Sequence, residues 1–251
     1  MQVLYGLNRN SQGRFVEKNA LRFYDNMVEA SYSLYLYNLL ALIRVAEYAR
    51  QDEIRRHGKL RPSKEDLAFK AIFSNNEYID SLSKNYDLGI MISKAKLGQK
   101  MDADFIRKLY LEFAKTENYQ TFLATENPEK EVFVAIYLDM YKFLINHETF
   151  VSMQEDHWPL LSIDKSLIVG AMKKTIKALP VGGSFLDEYV PQEETVRDFG
   201  EKLLEKVVGA DEELLKIIEP NLNNWDADRV AVLDMIIIKM ALAEFLYFAS
   251  I

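Results

Sequence analysis

Three stretches hold the side chains that could do chemistry. Histidine and carboxylates gather only at His147, Glu148, Glu155, Asp156 and His157. A metal held on a helix takes ligands three or four residues apart, whereas these histidines are ten apart and no Glu-x-x-His occurs in the chain. The cluster therefore reads as a solvated helix end, and no metal is expected. A second group, Arg50, Arg55, Arg56, His57, Lys59, Arg61 and Lys64, is the strongest basic cluster, diluted by Asp52 and Glu53. Cations at this place complement a helix C-terminus and continue into a solvated loop; the competing reading is a patch that contacts phosphates, with Arg55 and Arg56 at its centre. The third is a pair of charges, Asp234 and Lys239, set in an apolar helical pattern, where each needs an exit to water, an internal partner or a second molecule.

Other routes to catalysis are closed. The chain has no cysteine to serve as a nucleophile and no Gly-x-Ser-x-Gly. Gly182-Gly183-Ser184 lacks the lysine, the spacing and the preceding strand of a phosphate loop. What remains is binding, without catalysis and without a cofactor.

The elements that must position these charges are helical throughout. Apolar residues recur every three to four positions, no window alternates with a strand period, and no repeat emerges. Leu222 to Phe248 holds the densest pattern and predicts one central helix, capped by Asp226 and buried nearly all round: Val230, Leu233, Ile237, Met240 and Ala241 form one stripe, and Ile236, Ile238, Leu242, Phe245 and Leu246 make the other sides apolar. Met1–Arg9 reads as the end of a helix and Asn10-Ser11-Gln12-Gly13 as a turn. A long buried helix follows from Phe15 to about Arg56, and its tyrosines Tyr32, Tyr35, Tyr37 and Tyr48 read as core rather than as stacking platforms for bases. Ser63 and Asp66 have the spacing of a capping box opening a helix to about Phe73. Further helices are expected at Asn76–Leu97, Asp102–Lys115, Glu129–Asn146, Ser162–Leu179 and Gln192–Val208, with a loop at 180–184 and a short helix from Asp211 to Pro220.

With 251 residues the chain can bury a sizeable core, and 49% hydrophobic with 27% charged residues is ordinary for a globular protein. No apolar run is long enough to span a bilayer, no signal peptide is visible, and the absence of cysteine fits a reducing cytoplasm. The formal net charge is −7, and the segment from Asp187 to Glu219, with eleven acids against four bases, accounts for all of it. A nucleic-acid surface must lie elsewhere, while this acidic stretch suits a basic protein.

The string Ile217-Ile218-Glu219-Pro220-Asn221-Leu222, followed by Trp225, Arg229, Asp234, Lys239 and Glu244, resembles the signature of the NusB family of transcription antitermination factors. Met1-Gln2-Val3-Leu4-Tyr5 is similar to the "QALY"-like end of that family's first helix. The two matches cover Met1–Tyr5 and roughly Thr195–Phe248 and bracket a long insertion. Relative to the family pattern the basic segment before "QALY" and the "NE" and "FVNG" helices after the central one are missing, so the chain looks cut at both ends of the fold. The resemblance implies a non-catalytic factor that pairs with a NusE-like small-subunit ribosomal protein and binds boxA-type RNA, weakly here without the basic segment. It places Asp234 at the partner surface, Lys239 where the family usually has arginine, and Tyr5 close to the same surface. Gln2 and Tyr5, with Arg55 and Arg56 of the basic cluster, are the candidate RNA contacts. Lysine keeps the charge but not the bidentate fork of arginine.

The expected protein is thus all-α and cytoplasmic. A first bundle runs over 1–209, including an insertion at about 15–190, and a partial second bundle over 210–251. An internal pair, Asp234 with Arg229 or Glu244 with Lys239, competes with the partner role. A helical interaction scaffold that has lost RNA binding competes with antitermination; an appended domain of an rRNA methyltransferase is disfavoured, since no cofactor-binding α/β domain follows.

Overall fold

A computed structural model describes residues 1–10, 17–159, 165–222 and 226–248. All of its regular elements are helical, and no strand occurs among the described residues. The α-helices are α1 (Gln2–Asn10), α2 (Glu17–His57), α3 (Lys64–Ala68), α4 (Glu77–Ser83), α5 (Tyr86–Lys94), α6 (Ala103–Phe113), α7 (Glu117–Ala124), α8 (Lys130–Asn146), α9 (Glu148–His157), α10 (Lys165–Lys177), α11 (Lys202–Gly209), α12 (Asp211–Ile218) and α13 (Val232–Tyr247). They form two compact units, Ala30–Val190 on the one hand and Met1–Glu29 with Pro191–Ile251 on the other, and α2 contributes to both. The turn expected through 11–13 and the signature residue Trp225 lie outside the described residues.

In the unit of Ala30–Val190, the second part of α2 is the buried axis, with Leu36, Leu39, Ala46 and their neighbours nearly inaccessible. Of the four tyrosines expected in the core, Tyr35 and Tyr37 are buried and stack on Tyr189 and Phe150, whereas Tyr32 and Tyr48 are only half-buried. Apolar packing alone would leave the hydroxyls and amides of this core unpaired, at a cost of roughly 1–3 kcal/mol each. The Tyr35 hydroxyl accordingly shares a 2.7 Å hydrogen bond with Thr175 of α10, Gln154 of α9 donates to Asn38 of α2 at 3.0 Å, and the Tyr137 hydroxyl donates to the Phe73 carbonyl at 2.8 Å.

Local chemistry sets the helix boundaries. Ser63 and Asp66 make the reciprocal bonds of a capping box, but α3 stops at Ala68 because Phe69 turns extended and is buried, short of the expected Phe73. The helix expected over Asn76–Leu97 is two, since the Asn85 side chain accepts the Leu88 amide and starts α5 anew. Two elements had no place in the sequence reading. Thr116 caps α7 with its hydroxyl, and His147 both ends α8 and begins α9 without a capping side chain.

The other unit is built around α13, which packs against α1, α11 and α12. Its core joins Val3 and Leu4 to Leu203, Leu204, Val207, Leu214, Ile218, Ile236 and Ala243. The expected single helix over Leu222–Phe248 is broken. Asp226 makes no capping bond, residues Ala227–Arg229 form one 3-10 turn, and Val230 and Ala231 are extended before α13 starts at Val232. Nor is α13 buried all round: Ile236, Lys239 and Ala243 are enclosed, while Leu233, Ile237, Ile238, Phe245 and Leu246 are exposed. Apolar neighbours cover only one of its faces, and composition alone does not say which.

Preceding α11, residues Glu194–Glu201 widen into a π-helix. The Tyr24 hydroxyl donates to the Val196 carbonyl at 3.1 Å, and burial first, then the carboxylates of Asp25 and Glu201, push its pKa up so that it remains a donor. Tyr24 passes so close to Gly200 that a Cβ there would lie 2.0 Å from its oxygen. Gly200→Ala should therefore expel the ring, lose the bond to Val196 and lower stability by about 1–3 kcal/mol in urea denaturation. Tyr24→Phe removes only the bond and should cost less.

Candidate functional site

Lys239 lies on the inward stripe of α13 with Ile236 and Ala243. An ammonium enclosed by apolar side chains needs a counter-charge, and Asp211, the first residue of α12, supplies it: Lys239 Nζ donates to Asp211 Oδ1 at 2.5 Å. Lys239 is 8% exposed. Beside this pair opens a cavity of about 220 Å³, walled by Leu4 and Asn8 of α1, Val207 of α11, the extended Val230, and Met235 and Ile236 of α13. The break at Val230–Ala231 is what brings that wall into place.

Asp234, in the first turn of α13, is exposed and makes no ion pair among the described residues. Neither expected internal pair, Asp234 with Arg229 or Glu244 with Lys239, forms: Arg229 reaches Asp226 at 3.4 Å, and Lys239 is engaged by Asp211. A carboxylate in the first turn favours the helix dipole, so its position needs no protein partner for stability. Tyr5 is half-buried against the core that includes α13. Gln2, also on α1, is half-buried, and its amide nitrogen is enclosed with no hydrogen-bond partner among the described residues. Tyr5, Asp234 and Lys239 thus belong to one unit and to elements in contact, α1 and α13.

Arg55 and Arg56 lie in the other unit. Both point at Asp52, whose side chain is wholly buried: Arg55 donates to Asp52 Oδ1 at 2.5 Å and Arg56 to Oδ2 at 2.7 Å, and the Tyr110 hydroxyl adds a bond at 3.3 Å. The bond to Asp52 raises the Arg55 pKa above its ordinary value, which keeps the guanidinium charged. Arg56 also covers the Phe69 ring at 4.2 Å. Arg50 and Lys59 pair with Asp80 and Asp66. The Lys59 ammonium first, then the Ser63 amide, hold the Asp66 carboxyl down at about 2. Much of the basic cluster is thus tied to its own acids. At the remaining histidine and carboxylate group, His147 Nε2 is 3.0 Å from Glu112 and Lys165 bonds Glu155. No three metal-ligating side chains converge among the described residues.

Residues 171–251 match the model of the NusB family. The transcription antitermination protein NusB of Listeria monocytogenes serotype 4a (strain HCC23) is 40% identical over 50 residues, which is 20% of this chain and 39% of that protein. NusB of Listeria welshimeri serovar 6b matches to the same extent. The chain therefore spans about two fifths of the length of these curated relatives. No solved structure matches it. Among the described residues no helix is long and apolar enough to cross a membrane.

A buried carboxylate stripped of its cations is strongly destabilising, about 3–5 kcal/mol. The double variant Arg55→Ala/Arg56→Ala should lose stability on that scale in chemical denaturation, and adding Asp52→Asn should recover a large part of it. A double variant as stable as the parent would show that these arginines are free for an external anion.

Proposed function

We propose that this protein, whose residues 171–251 are a NusB-family domain, is a cytoplasmic antitermination factor that works by binding, without catalysis. Its partner is a basic NusE-like small-subunit ribosomal protein, and it engages boxA-type RNA weakly. The observation that carries the reading is Asp234: an exposed carboxylate without an ion pair among the described residues, on a helix whose remaining exposed side chains are mostly apolar. Glu212 and Glu213, in the first turn of α12, add negative charge to the same unit, while Asp211 beside them is taken up by Lys239. Complementary charge of this kind sets partner choice and association rate.

Within this reading Asp234 makes the direct contact and Tyr5 borders it. Lys239 contributes from inside, by holding Asp211 and fixing which side of α13 faces outward. Gln2 and Tyr5 on α1 are the proposed RNA contacts of this unit. Arg55 and Arg56 contribute to RNA only through the part of their charge that Asp52 leaves uncompensated, which is why the affinity should be low and weakly selective. Ala30–Val190 we read as a helical insertion into the family fold.

The test uses Asp234→Ala. It should weaken association with a NusE-like protein by about 1–3 kcal/mol in calorimetric titration, the range for a charge-assisted contact. Folding stability should fall by no more than about 0.3–1 kcal/mol, the loss of a first-turn acid. Unchanged association would reject the assignment, and a large stability loss would mean that Asp234 is paired inside the fold.

A further inference from the structure

Helices α6, α7, α8 and α9, all in the unit of Ala30–Val190, converge on a cavity of about 580 Å³, inside the ~300–1,000 Å³ range of small-molecule sites. Its wall joins Lys108 of α6, Asn118 of α7, Lys142, Phe143 and Asn146 of α8, and Thr149 of α9. Arg55 and Arg56 do not line it, so the cavity is separate from the basic cluster at the end of α2.

Each part of this wall has a chemical preference. Phe143 is half-buried, and tilted contacts with Phe113 and His147, both at 5.6 Å between ring centroids, hold it in place. The part of its ring that stays open is a platform for a planar aromatic group, and every nucleobase offers one. Lys142 is exposed and makes no ion pair among the described residues, while the exposed Lys108 reaches Glu112 only at 4.0 Å, the outer limit of such a pair. Two ammonium groups left this free favour a phosphate. Asp139 and Glu148 stand on the same wall, and their charge argues against a polyphosphate. Asn118 Nδ2 donates to Asp139 Oδ2 at 2.8 Å, which fixes that carboxylate and leaves Oδ1 to accept an N–H from a ligand. The exocyclic amine of adenine, cytosine or guanine is such a donor; uracil lacks it.

We propose that this cavity binds a single nucleotide with one phosphate: the base stacks on Phe143 with its amino edge at Asp139 and Asn118, and Lys108 and Lys142 hold the phosphate. The same chemistry comes from two sources, a free nucleoside monophosphate or one unstacked residue of single-stranded RNA. The inference does not rest on the functional reading above, which assigns nothing to this cavity.

The experiment is calorimetric titration of the full chain with AMP, CMP and UMP, and with a single-stranded RNA octamer of alternating A and C. AMP and CMP should bind more tightly than UMP by ~10-fold, the scale of one hydrogen bond to a charged group, and Asp139→Asn should erase that preference. Phe143→Leu should weaken AMP by ~5- to 100-fold, the range for one base stacked on an aromatic ring. Lys142 is exposed, so Lys142→Ala reads the site without the risk to folding that Phe143→Leu carries. It should weaken AMP while leaving adenosine, which has no phosphate, unchanged, with the helical circular dichroism spectrum and the urea midpoint as in the parent. An octamer that binds more tightly than AMP by ~10-fold or more, with the same dependence on Lys142, identifies RNA as the source, since the longer strand adds phosphate contacts. A smaller difference identifies the free nucleotide. No binding of AMP, CMP or the octamer at millimolar concentration, AMP binding indifferent to both Lys142→Ala and Phe143→Leu, or inorganic phosphate binding as tightly as AMP would each overturn the proposal.

Discussion

A lysine among apolar side chains has to be answered, and the contact between Lys239 and Asp211 is the constraint on which the unit of Met1–Glu29 and Pro191–Ile251 depends. Helix α13 is apolar on every side, so hydrophobicity alone gives it no preferred orientation. Its net amphipathic bias is close to nil, and rotation about its axis would exchange one apolar stripe for another. The ion pair removes that degeneracy. With Lys239 directed at the start of α12, Ile236 and Ala243 must follow it inward, while Asp234, Ile237, Ala241 and Phe245 must point out. The exposed carboxylate, the cavity beside Val230 and the bare apolar face are three results of that single orientation.

Much of this was legible from residue types. The helical class follows from the spacing of apolar residues, and the starts at Ser63 and Asp102 follow from capping side chains whose bonds are present. Tyr35 and Tyr37 of α2 were readable as core because leucines flank them at helical spacing, while Tyr32 and Tyr48, read the same way, are half-buried. Where the reading failed, competing local chemistry won. Over 222–231 the apolar period runs on through Val230, and nothing in the composition announces that Val230 and Ala231 are extended. Thr116 offers a cap signal for α7, but a helix of that length adds little periodicity of its own. Burial was the larger miss. Periodicity shows which residues could be covered, whereas coverage depends on where α1, α11 and α12 lie, and that is tertiary information.

The charge clusters teach the same lesson from the other side. Arg55 and Arg56 look like a phosphate patch in sequence, yet Asp52, three and four residues earlier, lies on the same helical face and takes both. Asp52 and Glu53 were visible as acids that dilute the cluster. That one of them is buried and organises it became visible only with Tyr110 packed over the same carboxylate. In the other unit the sequence places Asp234 and Lys239 five residues apart on one helix, and the structure separates them into an outward and an inward charge.

The claim that one ion pair orients α13 is tested most directly by a double-mutant cycle on Asp211 and Lys239, read as unfolding free energy in urea. Asp211→Ala alone strands an enclosed ammonium and should be clearly destabilising, whereas Lys239→Met, alone or with Asp211→Ala, leaves no buried charge and should cost much less. The predicted coupling between the two sites is about 1–3 kcal/mol. Additive effects, with Asp211→Ala no worse in the presence of Lys239 than in its absence, would contradict the account.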